Sequence, residues 1–354
     1  MTIPARSPTQ PGAAGPSRAP TGGGRRRARA WTSALPQLVA LGLVFAACRL
    51  ASPQFFDVRL QDGRLFGSLV DVFYRGAPVA LLSIGMCVVV AARGIDLSVG
   101  TIMAIAGAVA ATLVNGGLAW PLCVLAALGV GVACGLWNGV LVSVLRIQPI
   151  VATLILMVAG RGLAQLVTGG QIVTFDDRGL IGISAGTVLG LPLPVAITAA
   201  VLLGALLLLR GTALGMFLEA TGANARASHY AGVDTRLVTV STYVASGLCA
   251  AVAGLIAAGD IRGADANNAG LWLELNAILA VVVGGGSLLG GRFSLTRSVL
   301  GALIIQAMGT GILLSGFQPE FNLIVEAVVV MAVLLAQSPP AARLANFLRP
   351  RRTA

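Results

Sequence analysis

Apolar runs of about twenty residues, separated by short polar or glycine-rich breaks, recur from residue 35 to residue 337 of this 354-residue chain. A helix rising about 1.5 Å per residue needs that length to cross roughly 30 Å of hydrocarbon. Backbone amides find no water in that layer, so the runs are read as helices rather than loops or open strands. The expected spans are 35–50, 66–92, 97–115, 119–145, 149–169, 188–209, 237–258, 272–290, 295–315 and 321–337. The pattern predicts an all-α polytopic membrane protein of about ten transmembrane helices, with its transmembrane domain over 34–338. Only 10% of residues are charged and 56% are hydrophobic, whereas a soluble domain carries about a quarter charged. There is too little polar surface here for a water-facing globule.

Basic residues set the expected orientation. All 24 are arginine, and the chain has no lysine. With ten spans both termini share one side. That side collects Arg6, Arg18, Arg25, Arg26, Arg27 and Arg29 of the N-terminal tail, with Arg93, Arg146, Arg210, Arg226, Arg236, Arg292, Arg297, Arg343, Arg349, Arg351 and Arg352. The other side holds Arg49, Arg59, Arg64, Arg178 and Arg262. Seventeen against five predicts N-in, C-in, because cytoplasmic loops carry the excess of basic charge. Residues 1–33, rich in Pro, Gly, Ser and Arg without apolar period, read as a disordered basic cytoplasmic tail. Residues 339–354 read as a second basic tail. Phe45 to Cys48 imitates a lipoprotein cleavage box, but with so many spans following, the run serves as an uncleaved first helix. The run 66–92 exceeds a straight span and holds Pro78 and Gly85, so a kink or split is expected there.

The missing lysine excludes a phosphate-loop lysine, a Schiff base and a lysine general base. If the chain moves solute at the expense of ATP, another chain hydrolyses it. A sequence pI near 11.0 raises nucleic acid as a partner, but beyond the N-terminal cluster the arginines are dispersed along loops, as topology requires. Cys48, Cys87, Cys123, Cys134 and Cys249 lie in apolar runs, and His229 stands alone; no metal site is expected.

Thr212–Arg236 is the longest polar interruption, and the orientation places it in the cytoplasm. Leu214, Phe217 and Leu218 recur at helical spacing beside Glu219, with Gly222 and Asn224 to stop the turn. This predicts a short amphipathic helix, a break, and a second turn through Ala225–Ala231. Connections between membrane helices are usually short, so the segment reads either as a surface that another molecule engages or as a solvated loop.

Polar groups inside spans are costly unless partnered or facing water. Asp71 and Arg75, spaced i,i+4, are expected to pair on one face of the second helix. Arg161 and Gln165 share a face of the fifth, and Glu274 and Asn276 lie near the outer end of the eighth. These four are the candidates for a hydrophilic translocation path, since an uncharged, hydroxyl-rich solute needs weak polar partners. Asp260, Arg262, Asp265, Asn267 and Asn268 form an outward-facing docking surface or a polar turn. In Gly94–Gly100, Asp96 is placed to cap the next helix while the glycines permit a tight reversal. Gly284–Gly291 lacks the Gly-Lys-Ser/Thr ending of a phosphate cradle and is expected to break the eighth helix. A competing reading is an ion-coupled secondary transporter with Asp71, Glu274 or Glu326 as its ion site.

Taken together, GIDLSVG at 94–100, LEATGANARASHYAGVDT at 218–235 and GGGSLLGG at 284–291 resemble the membrane-permease subunits of bacterial ribose-type sugar ABC importers. Within that group, 147–175, 258–275 and 301–317 are most similar to galactofuranose permeases. Residues 1–33 and 176–190 carry no resemblance. The resemblance implies a multi-pass inner-membrane permease with no catalytic residue or cofactor of its own. It implies two permeases, different chains in the galactofuranose-type system, with ATPase subunits that bind ATP and Mg and a periplasmic sugar-binding protein. It also makes 212–236 the coupling helices, with Phe217, Glu219, Gly222 and Asn224 at coupling positions: Gly222 as the turn and Glu219 as an interface or capping carboxylate. Ribose, arabinose, an autoinducer or a branched-chain amino acid are the other cargoes the group suggests.

Overall fold

The computed structural model describes residues 23–61 and 63–316, with a few single positions between 318 and 331. The expected tail 339–354, residues 1–22, Glu326 and most of the expected tenth span lie outside the described residues. The chain divides into a unit ending at Pro36 and a second from Gln37 onward. In the first, the described residues are the opening turns of helix α1, Gly23–Ala51. The helix thus begins inside the stretch expected to be a disordered tail, because the Arg/Ala run 25–30 contains good helix formers.

In the second unit α1 leads to a hairpin of β1 (Arg59–Gln61) and β2 (Arg64–Phe66), with Arg59 opposite Phe66. Then follow α2 (Ser68–Ala91), α3 (Val99–Asn115), α4 (Trp120–Ser143) and α5 (Pro149–Thr168). A short outer array comes next, with β3 (Val173–Thr174), α6 (Arg178–Ala185), β4 (Thr187–Val188) and β5 (Leu191–Pro192). The chain continues as α7 (Leu193–Gly211), α8 (Leu214–Ala223), α9 (Ala225–Tyr230), α10 (Thr235–Ile261), β6 (Gly263–Ala264), α11 (Leu273–Val283) and α12 (Leu295–Leu314). Proline opens α4, α5 and α7 at Pro121, Pro149 and Pro194, where its missing N–H costs nothing and its fixed φ suits the first turn.

Seven described helices are long and apolar enough to cross a membrane: α1 from Ala34, α2, α4, α5, α7, α10 and α12. Two expected spans fall short. α3 has 17 residues. α11 has 11, a rise of only about 17 Å, because the glycines from Gly284 stop it long before residue 290. α2 runs unbroken through Pro78 and Gly85, so the expected split does not occur. Cys48 is buried in the last turn of α1, its Sγ 3.5 Å from the Ala307 carbonyl of α12.

α2 and α10 form the centre. They bury 78% and 56% of their most apolar stretches, against 11% for α7, so α7 belongs to the rim that lipid would cover. Contact between α10 and α4 depends on small residues at i,i+4 spacing, as membrane helices require for close approach. A Cβ on Gly131 would sit 2.5 Å from the Gly247 carbonyl, one on Gly135 2.5 Å from the Tyr243 carbonyl, and one on Gly139 2.8 Å from the Val240 Cα. Gly135→Leu is therefore expected to separate the two helices and cost about 3 kcal/mol or more. Thermal unfolding in detergent checks this, with Gly129→Leu as the neutral control, since nothing lies within 4 Å of a Cβ there.

Candidate functional site

The two ends of the bundle differ in chemistry. One end carries the loop after α2, the helices α8 and α9, and the glycine loop before α12. There the sequence breaks as expected: α8 ends at Ala223, Asn224 adopts extended backbone, and its side chain caps α9 by accepting from Ala227 N–H at 3.0 Å. α8 lies with one side on the bundle. Leu218 is 2% exposed among Val88, Val90 and Ala91 of α2, Val238 of α10 and Leu295. Phe217 packs partly against the same cluster. The other side is open, with Met216 65% exposed, Glu219 exposed, and Tyr230 of α9 90% exposed. Glu219 and Arg210 line a cavity of about 360 Å³ between α7, α8 and Phe293–Leu295.

The four coupling positions therefore divide. Among the four, Glu219 alone presents its side chain to solvent without a partner among the described residues. Phe217 turns inward and Asn224 is the cap of α9. Gly222 is not the turn; it is a buried residue within α8. A Cβ there would overlap the Ala91 carbonyl oxygen at the end of α2 and lie 2.7 Å from Gly291 N. Gly291 N–H itself donates to Ala91 O at 2.9 Å, so α2, α8 and the glycine loop meet at one point. Arg93, just past α2, donates from Nε to Leu289 O at 3.0 Å and from a terminal nitrogen to Ala223 O at 2.8 Å. Reading by motif missed Arg93, whose one local signal is an Arg-Gly pair at a helix end.

Behind this junction lies a polar cluster without solvent. Asp96, Ser98, Asn138, Tyr243 and Ser246 are all 0% exposed. Asp96 Oδ1 accepts from Ser98 N–H at 3.0 Å and Ser98 Oγ at 2.6 Å, and Oδ2 accepts from Ser246 Oγ at 2.8 Å. Asn138 Nδ2 donates to Ser98 Oγ at 2.8 Å. Asp96 was expected to cap the next helix. It instead binds the residue that precedes α3 together with a hydroxyl from α10, because a carboxylate buried this deeply must draw donors from every neighbouring element. Gly94 leaves room for the Tyr243 hydroxyl, 2.6 Å from where a Cβ would stand, and Gly100 lies inside α3, against Gly270 and Glu274, rather than in the reversal.

At the opposite end the residues assigned to a path and those assigned to docking form one assembly. Arg161 donates to the carbonyls of Ala266 and Ala269 at 3.0 and 2.7 Å, and Gln165 Nε2 donates to Asn267 Oδ1 at 2.7 Å. Asp265 accepts from Asn267 N–H, Asn268 N–H and Asn268 Nδ2. α5 thus holds the loop between α10 and α11, and its polar side chains are occupied by that loop. Asp260 accepts from the Tyr74 hydroxyl at 2.5 Å, and Tyr74 also meets Ser184 Oγ at 2.6 Å, joining α2, α6 and α10. The Arg262 side chain is exposed and makes no hydrogen bond among the described residues. Glu274, 4% exposed, packs against Gly100, and Asn276 is half-buried. Asp71 and Arg75 are both exposed and do not pair; at a helix end open to water an i,i+4 ion pair gains too little to fix both side chains.

A cavity of about 300 Å³ opens under this loop, walled by Met103, Ala104 and Gly107 of α3, Gly254 and Ala258 of α10, and Asp265 and Asn268. None of Arg161, Gln165, Glu274 or Asn276 lines it. The Asn268 side chain, with Asn267 and Asn268 N–H, holds the Asp265 carboxyl below its usual value of 3.8, against the opposing effect of burial. A depressed carboxylate contributes stability above its unfolded pKa and loses it as pH falls through the folded one. The loop is expected to hold from neutrality to about pH 5 and to loosen only at lower pH. An Asp265 titration midpoint below 3.8, read by NMR on aspartate-labelled protein, checks this.

Among known proteins, residues 68–334 match the family described as branched-chain amino acid transport system / permease component. The chain is 61% identical over 327 residues to the galactofuranose transporter permease protein YtfT of Escherichia coli (strain K12), covering 92% of this chain and 96% of that one. It is 39% identical to the fructose import permease protein FruF of Bifidobacterium longum (strain NCC 2705), over 89% of this chain and 90% of that one. It is 34% identical to the ribose import permease protein RbsC of E. coli (strain K12), over 89% and 97%. No solved structure matches. A bundle of apolar helices joined by small-residue seams, matched by that family over most of its length, makes this chain a member of the branched-chain amino acid transport system / permease component family.

Proposed function

We propose that this chain is the membrane-spanning subunit of an ATP-driven importer that carries a monosaccharide of the galactofuranose kind across the bacterial inner membrane. The observation that carries the reading is its 61% identity, over 92% of its length, to a galactofuranose permease. The chain works beside a second permease, different or identical, with ATPase subunits that bind ATP and Mg on the cytoplasmic side and a sugar-binding protein on the other. Both termini face the cytoplasm in a ten-span topology, which the seventeen-to-five arginine bias supports. The open side of α8 and α9, with Met216, Glu219 and Tyr230, is the ATPase-docking surface. The loop 260–270 receives the binding protein, and the cavity beneath it belongs to the sugar path.

Nothing covalent happens to the sugar. ATP favours one arrangement of the partner ATPases, and their different contacts with α8 and α9 in the two arrangements shift the helices of the bundle. The test is uptake into vesicles holding the copurified complex. Uptake is expected to survive collapse of the proton gradient and to stop without ATP. The opposite pattern would point to an ion-coupled transporter using Asp71 or Glu274.

A further inference from the structure

We infer that Arg93 is a positioning residue that carries movement of the docked helix α8 to α2 and to the loop before α12; this rests on the ATP-driven reading above. The first observation is backbone strain in an unexpected place. α2 ends in a double-bonded reversal, with Gly94 N–H on Val89 O and Arg93 N–H on Val90 O, both at 2.9 Å. The position that turns left-handed in such an ending usually belongs to glycine, which has no Cβ to collide with the carbonyl. Here it is Arg93, at φ 65°, although a glycine stands next to it. A strained residue that a cheaper one would replace points to a task for its side chain.

The second observation is what that side chain reaches. Its guanidinium donates to Ala223 O, the last residue of α8, and to Leu289 O in the glycine loop. Ala223 O is among the carbonyls a helix leaves unpaired at its C-terminus, where the dipole favours a cation. The planar fork of arginine binds two acceptors on different segments at once, which a lysine ammonium does less rigidly. Gly290, at φ 82°, lies against the Arg93 stem so closely that a Cβ would overlap it. Arg93 is itself exposed, so water replaces its bonds if it is removed, and the bundle does not depend on it. The clamp thus adds side-chain bonds across three segments whose backbones meet beside it at Ala91, Gly222 and Gly291: the end of α2, the end of α8, and the approach to α12.

The test uses Arg93→Gly in the full complex reconstituted with its ATPase and binding protein. Glycine relieves the left-handed turn and deletes only the clamp. Assembly and basal ATP hydrolysis are expected to remain within about twofold of wild type. Sugar moved per ATP, and the stimulation of hydrolysis by loaded binding protein, should fall about 10-fold, within the usual range of coupling between sites. Arg93→Lys is expected to fall between. Wild-type coupling in Arg93→Gly would overturn the inference, and so would a parallel loss of assembly, basal hydrolysis and uptake, which is the mark of a merely structural role. A wild-type complex without ATP-dependent uptake would instead sink the importer reading itself.

Discussion

Gly222→Val is expected to lower ATP-driven uptake on the order of 100-fold, as loss of intersite coupling allows, while the protein still inserts and purifies as a monodisperse species. A valine Cβ would overlap the Ala91 carbonyl oxygen and crowd Gly291 N. Both are backbone atoms, one at the end of α2 and the other in the glycine loop hydrogen-bonded to it, so they do not yield. α8 has to lift instead. It rests on the bundle mainly through Leu218 and Phe217, and these contacts are lost or shifted as it rises. The side carrying Met216 and Glu219 then faces any docked partner at the wrong height. The bundle survives because α2 and α10 are packed through other faces. Gly211→Val, at the end of α7 just before this segment, where nothing lies within 4 Å of a Cβ, is the control. Wild-type uptake in Gly222→Val would contradict the assignment of α8 as the moving contact.

Asp96→Leu is expected to destabilise the fold by about 3–5 kcal/mol, since each buried polar group left without a partner costs about 1–3 kcal/mol. The leucine strands the hydroxyls of Ser98 and Ser246 and the Ser98 N–H in a region that water does not reach. The loss falls where α3, α4 and α10 are tied together. Asp96→Asn keeps one acceptor oxygen and is expected to be milder. Thermal unfolding and yield in membranes measure both. Equal stability of Asp96→Leu and wild type would mean that the cluster does not hold these helices.

Periodicity located the helices well because apolar length is a local property. The break at Asn224 was legible for the same reason: a Gly and an Asn follow an amphipathic turn. Hydropathy misjudged 272–290 because glycine counts as mildly apolar while ending a helix, so α11 stops at Val283. The site was less legible, since its residues act through partners distant in sequence. Gly222 reads as a turn glycine until Ala91, 131 positions earlier, is seen against it. Arg161 and Gln165 read as free polar groups until the carbonyls and the amide of the 266–269 loop fill their hydrogen bonds. Arg93 reads as one more cytoplasmic charge. Only its left-handed backbone and its two carbonyl partners reveal the clamp.

The central claim, that a membrane conduit is driven from the cytoplasm through α8 and α9, is tested most directly by labelling Tyr230→Cys with a membrane-impermeant maleimide. Tyr230 is 90% exposed, and the native thiols are buried apart from the half-buried Cys134, so background reaction is low. The account predicts labelling in inverted vesicles, none in intact spheroplasts, and protection when the ATPase is bound. Labelling from the periplasmic face would contradict it.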